Sequence, residues 1–162
     1  MIDITKLEEG FEELLGRRNY DLWFTGTFRR QTNEYTAIKK YKKFFKNLNK
    51  PCDIYFKDRI YCWVFVEKKP WDDKAHIHAL IDGIDPSNAK HIEEKWEDKL
   101  GEAKVDPYDY TLEMSAIKYL AHKYADRHEL GWLKIFEFFK INSRWRIHKK
   151  VYSCGLNLEA EH

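Results

Sequence analysis

Two apolar stretches separated by a short polar segment constrain the fold of this chain more than any other feature. Residues 60–66 are apolar and end at Glu67, and residues 75–81 form a second, largely apolar run. The intervening residues 68–74 contain a proline and two aspartates, which are typical of turns. This pattern predicts a β-hairpin, and therefore a sheet with antiparallel strands.

The returning strand of this hairpin contains two histidines, His76 and His78. Side chains two positions apart in a strand point to the same face, so the two imidazoles form half of a divalent-metal site. The hairpin would bring Glu67 close to them, and two histidines with one carboxylate leave metal positions open. Asp72 or Asp73 could replace Glu67 if the loop folds inward. The alternative is a strand with two polar residues on its solvent-facing side.

Helical spacing over residues 113–127 separates two tyrosines. One apolar stripe, at positions i, i+3, i+7 and i+10, consists of Met114, Ile117, Ala121 and Tyr124. Tyr124 is therefore expected to be structural. Tyr119 lies near the opposite side of the helix, and Lys123 follows it by one turn on the same face. A tyrosine and a lysine that share a face suit a phosphate reaction. Alternatively, Tyr119 packs against residues 132–139.

The remaining pattern predicts a single α+β domain over residues 1–162, with a central antiparallel sheet and packed helices. Hydrophobic residues make up 43% of the chain, enough for one core. Helices are expected at 6–15, 36–48, 85–100, 113–127 and 131–140, and strands at 21–29, 53–66, 75–81 and 144–153, with 104–110 as a short strand or loop.

Charge is segregated along the chain, although the net charge is only +2. Residues 29–50 and 134–150 are rich in lysine and arginine, whereas acidic residues gather in 93–109. Such segregation favours a polyanionic partner, and aromatic residues among the bases suit stacking on single strands. Residues 39–50 could instead form only a solvated helix face. The candidate DNA-binding residues are Arg29, Arg30, Lys42, Lys43, Lys46, Arg144 and Arg146.

Several classes of protein are disfavoured. The cysteines, Cys52, Cys62 and Cys154, are too widely spaced for a zinc knuckle or an even disulfide framework, which favours a reducing cytoplasm. No apolar run reaches membrane-spanning length, and no signal peptide is evident. The chain lacks a Walker phosphate-binding loop, so it is not expected to be an ATP-driven helicase itself.

Three motifs in order resemble those of the HUH endonucleases, specifically the Rep proteins that start rolling-circle replication of phages and plasmids. They are residues 22–28 (LWFTGTF), 76–80 (HIHAL, with Glu67 upstream) and 118–124 (KYLAHKY). Residues 144–156 also resemble the last strand of phage-type Reps, so the resemblance covers about residues 22–156. Many relatives place the tyrosine and lysine three apart, whereas here Lys123 is four from Tyr119. Tyr124 therefore remains the alternative nucleophile.

The resemblance implies a ferredoxin-like or RRM-like Rep nuclease fold and a specific chemistry. Mg²⁺ or Mn²⁺ would be bound by His76, His78 and Glu67. Tyr119, assisted by Lys123, would attack a phosphodiester of single-stranded origin DNA, which leaves a 5′-phosphotyrosine link and a free 3′-hydroxyl. A host helicase is a candidate partner, no membrane is involved, and the expected location is the cytoplasm of a bacterial or archaeal cell.

Two alternatives to a Rep protein remain. One is an HUH transposase of the same chemistry, which one chain does not distinguish from a Rep protein. A relaxase is disfavoured because its tyrosine usually precedes the histidines. The other is a non-catalytic, RRM-like module that binds single-stranded nucleic acid. The absence of the usual aromatic signature of that module counts against it.

Overall fold

A computed structural model describes residues 3–16, 18–48, 56–111, 115–127, 132–141, 144–153 and 157–160. Its helices are α1 (Ile4–Leu15), α2 (Glu34–Leu48), α3 (Ala89–Lys99) and α4 (Ala116–Arg127), and a 3₁₀ turn (Pro86–Asn88) precedes α3. The strands are β1 (Leu22–Thr27), β2 (Phe56–Glu67), β3 (His76–Ile84), β4 (Ala103–Pro107), β5 (Leu133–Ile141), β6 (Arg144–Ser153) and β7 (Asn157–Ala160).

The strands form one antiparallel sheet in the order β4-β1-β3-β2-β5-β6-β7. The predicted hairpin is confirmed as β2 and β3. Its register places Glu67 opposite His76 and Phe65 opposite His78. On the other side of β3, Thr25 of β1 lies opposite His78. The molecule is therefore an α+β protein with an antiparallel sheet and packed helices, consistent with the predicted ferredoxin-like or RRM-like class.

Helices cover both faces of the sheet. One face packs against α2 and α3 and contains the larger core cluster, with Phe24, Phe45, Trp96 and Phe138 among its members. The other face packs against α1 and α4, whose core includes Phe11, Leu120, Tyr124, Phe65 and Leu80. Because side chains alternate along each strand, His76 and His78 share this second face with Leu80. His78 is buried beside α4, so the alternative of two histidines on a solvent-facing side of the strand does not hold for this residue.

The predicted helix at residues 131–140 is wrong, because residues 133–140 belong to strand β5. β5 lies between β2 and β6, so both its edges are hydrogen-bonded. Leu133 and Ile135 pack toward α1 and α4, whereas Phe136 and Phe138 pack toward α2 and α3. A strand buried on both faces shows no simple apolar–polar alternation, which explains the mistaken assignment.

The other predicted elements agree with the structure within a few residues. Residues 104–110, predicted as a short strand or a loop, overlap strand β4, which runs from Ala103 to Pro107. Asp85 caps the 3₁₀ turn by accepting a hydrogen bond from the backbone N–H of Ser87. Met114 of the proposed helical stripe lies outside the described residues, as do Cys52 and Cys154. Strand β7 was not predicted.

One glycine is required where β2 and β3 come together. Gly83 has a φ of 115°, in the left-handed region that side chains rarely adopt. A Cβ added there would lie 2.3 Å from the carbonyl oxygen of Arg59, inside the irregular part of β2 between Phe56 and Tyr61. Glycine therefore allows the two backbones to approach at the end of the hairpin opposite the histidines.

Candidate active site

The residues predicted for metal binding and catalysis lie on one side of the sheet. Glu67, His76 and His78 are on the strand face that packs against α4, and Tyr119 and Lys123 are on α4 itself. Glu67 and His76 are direct neighbours across the hairpin, a position that places Cβ atoms roughly 4.5–5.5 Å apart. The ring of Tyr119 is 5.8 Å from the ring of His78. Nζ of Lys123 is 3.5 Å from Oε2 of Glu67. Two segments separated by about forty residues are thus brought into contact.

His78 is the more enclosed of the two histidines, with 6% of its surface exposed. Its ring stacks on Trp23, with centroids 5.8 Å apart and planes 15° apart, and Tyr119 meets it edge to face. Nδ1 of His78 is 3.4 Å from Oγ1 of Thr25. The contacts orient the imidazole. They also add Trp23 and Thr25 to the site, although only their motif, and not their role, was recognised in the sequence.

His76 is held by the loop between β2 and β3. Its Nε2 lies 2.9 Å from Oδ2 of Asp72. The hydrogen bond to His76, together with one from the backbone N–H of Lys74, lowers the pKa of Asp72. Nζ of Lys68 donates to the backbone carbonyl oxygens of Lys69 and Asp72, which fastens the loop. The loop therefore folds inward, and Asp72 is a carboxylate available beside His76.

Glu67 is a buried carboxylate, 3% exposed, and the ammonium group of Lys123 supplies an opposite charge. Burial of a carboxylate is unfavourable without compensating partners, so this ion pair contributes to the tolerance of the buried charge. Lys123 also approaches Tyr119, with Nζ 5.3 Å from the ring centroid. Lys123 thus connects the carboxylate of the hairpin with the tyrosine of α4.

The two tyrosines of α4 differ sharply in accessibility. Tyr119 is 38% exposed, whereas Tyr124 is 1% exposed. Tyr124 packs edge to face against Phe11 of α1, with centroids 5.5 Å apart. The prediction that Tyr124 belongs to the core is confirmed. Tyr119 is the tyrosine of this helix that a macromolecular substrate could reach.

The donor set suits a divalent cation in kind. Two imidazoles and one carboxylate lie on one face of the hairpin, at the positions where register predicts them. In the conformation described, however, Glu67 pairs with Lys123 and His76 with Asp72. Among the described residues, no group of three His, Cys, Asp or Glu side chains is already arranged to hold a metal ion. Binding would require these pairs to rearrange.

A cleft of about 500 Å³ opens beside Tyr119. Its lining residues come from β1, β3, β4 and α4 and the segments next to them: Trp23, Thr25, His78, Asp106, Pro107, Tyr108, Asp109, Ala116 and Tyr119. A smaller cleft of about 290 Å³ lies on the His76 side and is lined by Thr27, Phe28, Arg29, Asp72, Lys74, His76 and Glu102. The candidate site is therefore flanked by one largely aromatic cleft and one polar cleft.

The predicted DNA-binding residues are not gathered in one place. Arg29 is next to the site, because it lines the His76 cleft and also a neighbouring cleft of about 300 Å³ with Arg30 and Lys40. Its guanidinium donates to the carbonyl oxygen of Asp98 at 2.9 Å. This places cations along a path that leads away from His76.

The other predicted cations lie farther from the site. The three lysines of α2, Lys42, Lys43 and Lys46, line a groove of about 300 Å³ on the helix that covers the opposite face of the sheet. Arg144 and Arg146 are exposed on β6, three strands away from β3. A single strand that touched all of these residues would have to wrap around the molecule.

The chain matches no protein-family model, and no curated protein or solved structure shows significant similarity to it. No helix in the described residues is long and apolar enough to cross a membrane. A fold of this class hosts many functions, so the function must be argued from the geometry of the site.

Proposed function

We propose that this protein is a metal-dependent endonuclease that nicks and rejoins single-stranded DNA through a covalent 5′-phosphotyrosine, and that it acts as a rolling-circle replication initiator. One observation carries the proposal. An accessible tyrosine, Tyr119, contacts His78 and Lys123, and Lys123 in turn contacts Glu67. A nucleophile, a cation and candidate metal ligands are thus close together beside a cleft.

The chemistry is a transesterification. The phenol oxygen of Tyr119 attacks phosphorus, the bond from phosphorus to the 3′-oxygen breaks, the phenol loses its proton and the departing 3′-oxygen gains one. No water or oxidant is consumed, so a 3′-hydroxyl can reverse the step. Phenols are weak nucleophiles at neutral pH because their ordinary pKa is about 10. The ammonium group of Lys123 would stabilise negative charge on the phenol oxygen or the phosphate.

His76, His78 and Glu67 would hold the cation, Mg²⁺ or Mn²⁺, and Asp72 is a second carboxylate in position beside His76. When bound, the cation would act as a Lewis acid that stabilises the developing negative charge on the phosphate. The stacking of Trp23 on His78 and the contact with Thr25 hold one imidazole in place for this role.

Single-stranded DNA would lie over the Tyr119 cleft and continue past Arg29, whose position links the His76 cleft to Arg30 and Lys40. Clefts of about 300–500 Å³ suit individual nucleotides of a strand. The lysines of α2 would contact a flanking part of the origin on the other face. The protein would act in the cytoplasm of a bacterial or archaeal cell, and a host helicase would unwind the nicked duplex. A transposase of the same chemistry would use these residues identically.

A second candidate is a non-catalytic module that binds single-stranded nucleic acid. The two ion pairs, Glu67 with Lys123 and His76 with Asp72, favour it, because they satisfy these residues without a metal. The cleft lined by Arg29, Arg30 and Lys40 and the groove lined by the α2 lysines would serve either function. The two candidates differ in one property, the ability to form a covalent bond to DNA.

The decisive experiment incubates the protein with Mn²⁺ and a labelled pool of randomised single-stranded DNA, followed by denaturing electrophoresis. The wild type and Tyr124→Phe should yield a covalent protein–DNA band, and Tyr119→Phe should not. Tyr124→Phe is the matched control because it removes the same oxygen from the same helix. Peptide mapping that located DNA on Tyr124, or a wild-type yield with Tyr119→Phe, would contradict the choice of nucleophile. Binding without any covalent band would favour the non-catalytic module.

A further inference from the structure

The cleft beside Tyr119 has the size and walls of a small-ligand site. Its volume of about 500 Å³ lies within the range of roughly 300–1,000 Å³ that is usual for such pockets. Three of its lining side chains are aromatic: Trp23, Tyr108 and Tyr119. The rings of Trp23 and Tyr119 are nearly perpendicular, 84° apart, with centroids 6.2 Å apart. Together they form a corner that suits a flat, unsaturated ring.

Tyr108, the third aromatic residue that lines the cleft, is held in place by neighbouring tyrosines. Tyr108 packs against Tyr110, with centroids 4.5 Å apart, and against the buried Tyr20 at 5.7 Å. The hydroxyl of Tyr110 donates to the carbonyl oxygen of Tyr20 at 2.9 Å. The backbone N–H of Tyr108 donates to the carbonyl oxygen of Asp21, also at 2.9 Å. Tyr108 is therefore positioned before any ligand binds, which reduces the entropy lost on binding.

The rim of the cleft carries two carboxylates, Asp106 and Asp109. Oδ1 of Asp109 accepts hydrogen bonds from the backbone N–H and the hydroxyl of Thr111, which lower the pKa of this carboxyl group. Asp106 forms a long ion pair, 3.9 Å, with Lys104. Both side chains therefore offer acceptor oxygens to a ligand. Two negative charges also repel a phosphate, so the backbone of a bound strand should lie outside this cleft, toward Lys123 and Arg29.

Aromatic walls combined with acceptors at the rim define the ligand. Nucleobases stack favourably on aromatic side chains. Carboxylates accept hydrogen bonds from exocyclic amino groups, which cytosine, adenine and guanine carry and thymine lacks. We infer that this cleft holds one nucleobase with an exocyclic amino group, and that Asp106 and Asp109 select against thymine. That the base belongs to the nucleotide at the cut rests on the proposed function, whereas its binding in the cleft does not.

Base preference can be measured without cleavage. Fluorescence anisotropy of the wild type in EDTA, with labelled dA, dC and dT homo-oligomers of equal length, should give at least about fivefold tighter binding of dA and dC than of dT. Asp106→Asn combined with Asp109→Asn should bring the three affinities within twofold of one another. Glu94→Gln combined with Glu97→Gln, which neutralises two exposed carboxylates on α3, is the matched control for loss of two negative charges. It should leave the preference unchanged. Tyr108→Leu should weaken all three oligomers.

Covalent-adduct assays on the same protein preparations separate this inference from the proposed function. A base preference that depends on the two aspartates, in a protein that forms no adduct, would support the cleft and overturn the nuclease. Equal affinities for dA, dC and dT in the wild type, or a preference that survives the double aspartate substitution, would overturn the nucleobase assignment even if adducts form.

Discussion

Replacement of Lys123 by methionine tests the central ion pair of the site. Methionine keeps the length and the apolar stem of lysine but removes the ammonium group. Glu67 would then remain buried, 3% exposed, without the cation that lies 3.5 Å from its Oε2. We therefore expect Lys123→Met to destabilise the fold, although Lys123 itself lies at the partly exposed surface of α4.

The expected magnitude follows from the burial of the two partners. Removal of one partner of a buried ion pair costs about 3–5 kcal/mol. The side chain of Lys123 is 17% exposed, so part of its charge is solvated and the cost should lie near the lower limit, about 3 kcal/mol. For a domain of this size each kcal/mol lowers Tm by roughly 2–4 °C, which predicts a fall of roughly 6–12 °C.

The assay is urea unfolding of a double-mutant cycle with Glu67→Gln and Lys123→Met. The double variant should be more stable than Lys123→Met alone, because a neutral amide then replaces the buried carboxylate that has lost the nearby ammonium group. Lys118→Met is the matched control on the same helix: its pair with Glu12 is longer, 3.8 Å, and exposed, so it should cost no more than about 1 kcal/mol. Equal losses for Lys118→Met and Lys123→Met, or strict additivity in the cycle, would refute the reasoning.

The same variant tests the proposed metal site. Without the ammonium group, Glu67 should bind a divalent cation more readily, so Mn²⁺ should stabilise Lys123→Met more than the wild type. A cation at 100 times its Kd adds about 2.7 kcal/mol to the free energy of unfolding. If Mn²⁺ shifts the wild type, Lys123→Met and a His76→Ala, His78→Ala variant equally, these residues are not its ligands.

Three further results are expected. Replacement of Lys42, Lys43 and Lys46 by glutamine should reduce the slope of log affinity for single-stranded DNA against log salt concentration by roughly 0.7 per contacted phosphate. Cleavage at saturating DNA should remain intact. An unchanged slope would mean that the lysines of α2 form only a solvated helix face. Burial raises the pKa of the Cys62 thiol from 9.0 to about 12. The contribution of this thiol to the free energy of unfolding is therefore constant below pH 9 and declines between pH 9 and 12. Because the thiol is buried, iodoacetamide labelling of Cys62, read by mass spectrometry, should follow global unfolding. Gly83→Ala should lower the free energy of unfolding, measured in urea, by about 1–3 kcal/mol, because the φ of 115° at this position is strained for alanine.

Local patterns correctly predicted how several residues of the candidate site are arranged. Two apolar runs around a turn-forming loop predicted the hairpin and brought Glu67 close to the histidines; the structure places it opposite His76. The helical period separated a buried Tyr124 from an accessible Tyr119. Both predictions concern one element or one hairpin, where the regular geometry of the backbone determines which side chains share a face.

Other features of the fold and of the candidate site depended on which helices and strands pack together. Sequence periodicity carries no information on the packing partners of an element. The aromatic run in β5 suits either a helix or a strand, and only its place between β2 and β6 decides between them. The pairs of Lys123 with Glu67 and of Asp72 with His76 depend on how α4 and the hairpin loop lie against the sheet. The lysines of α2 were predicted to bind DNA. They lie on the face of the sheet opposite the candidate active site, because the apolar side of α2 packs there. The sequence thus determined the face on which each chemical group lies within its own element. The tertiary structure alone decided which groups meet, because burial of apolar surface, summed over the whole chain, selects among the arrangements that local geometry allows.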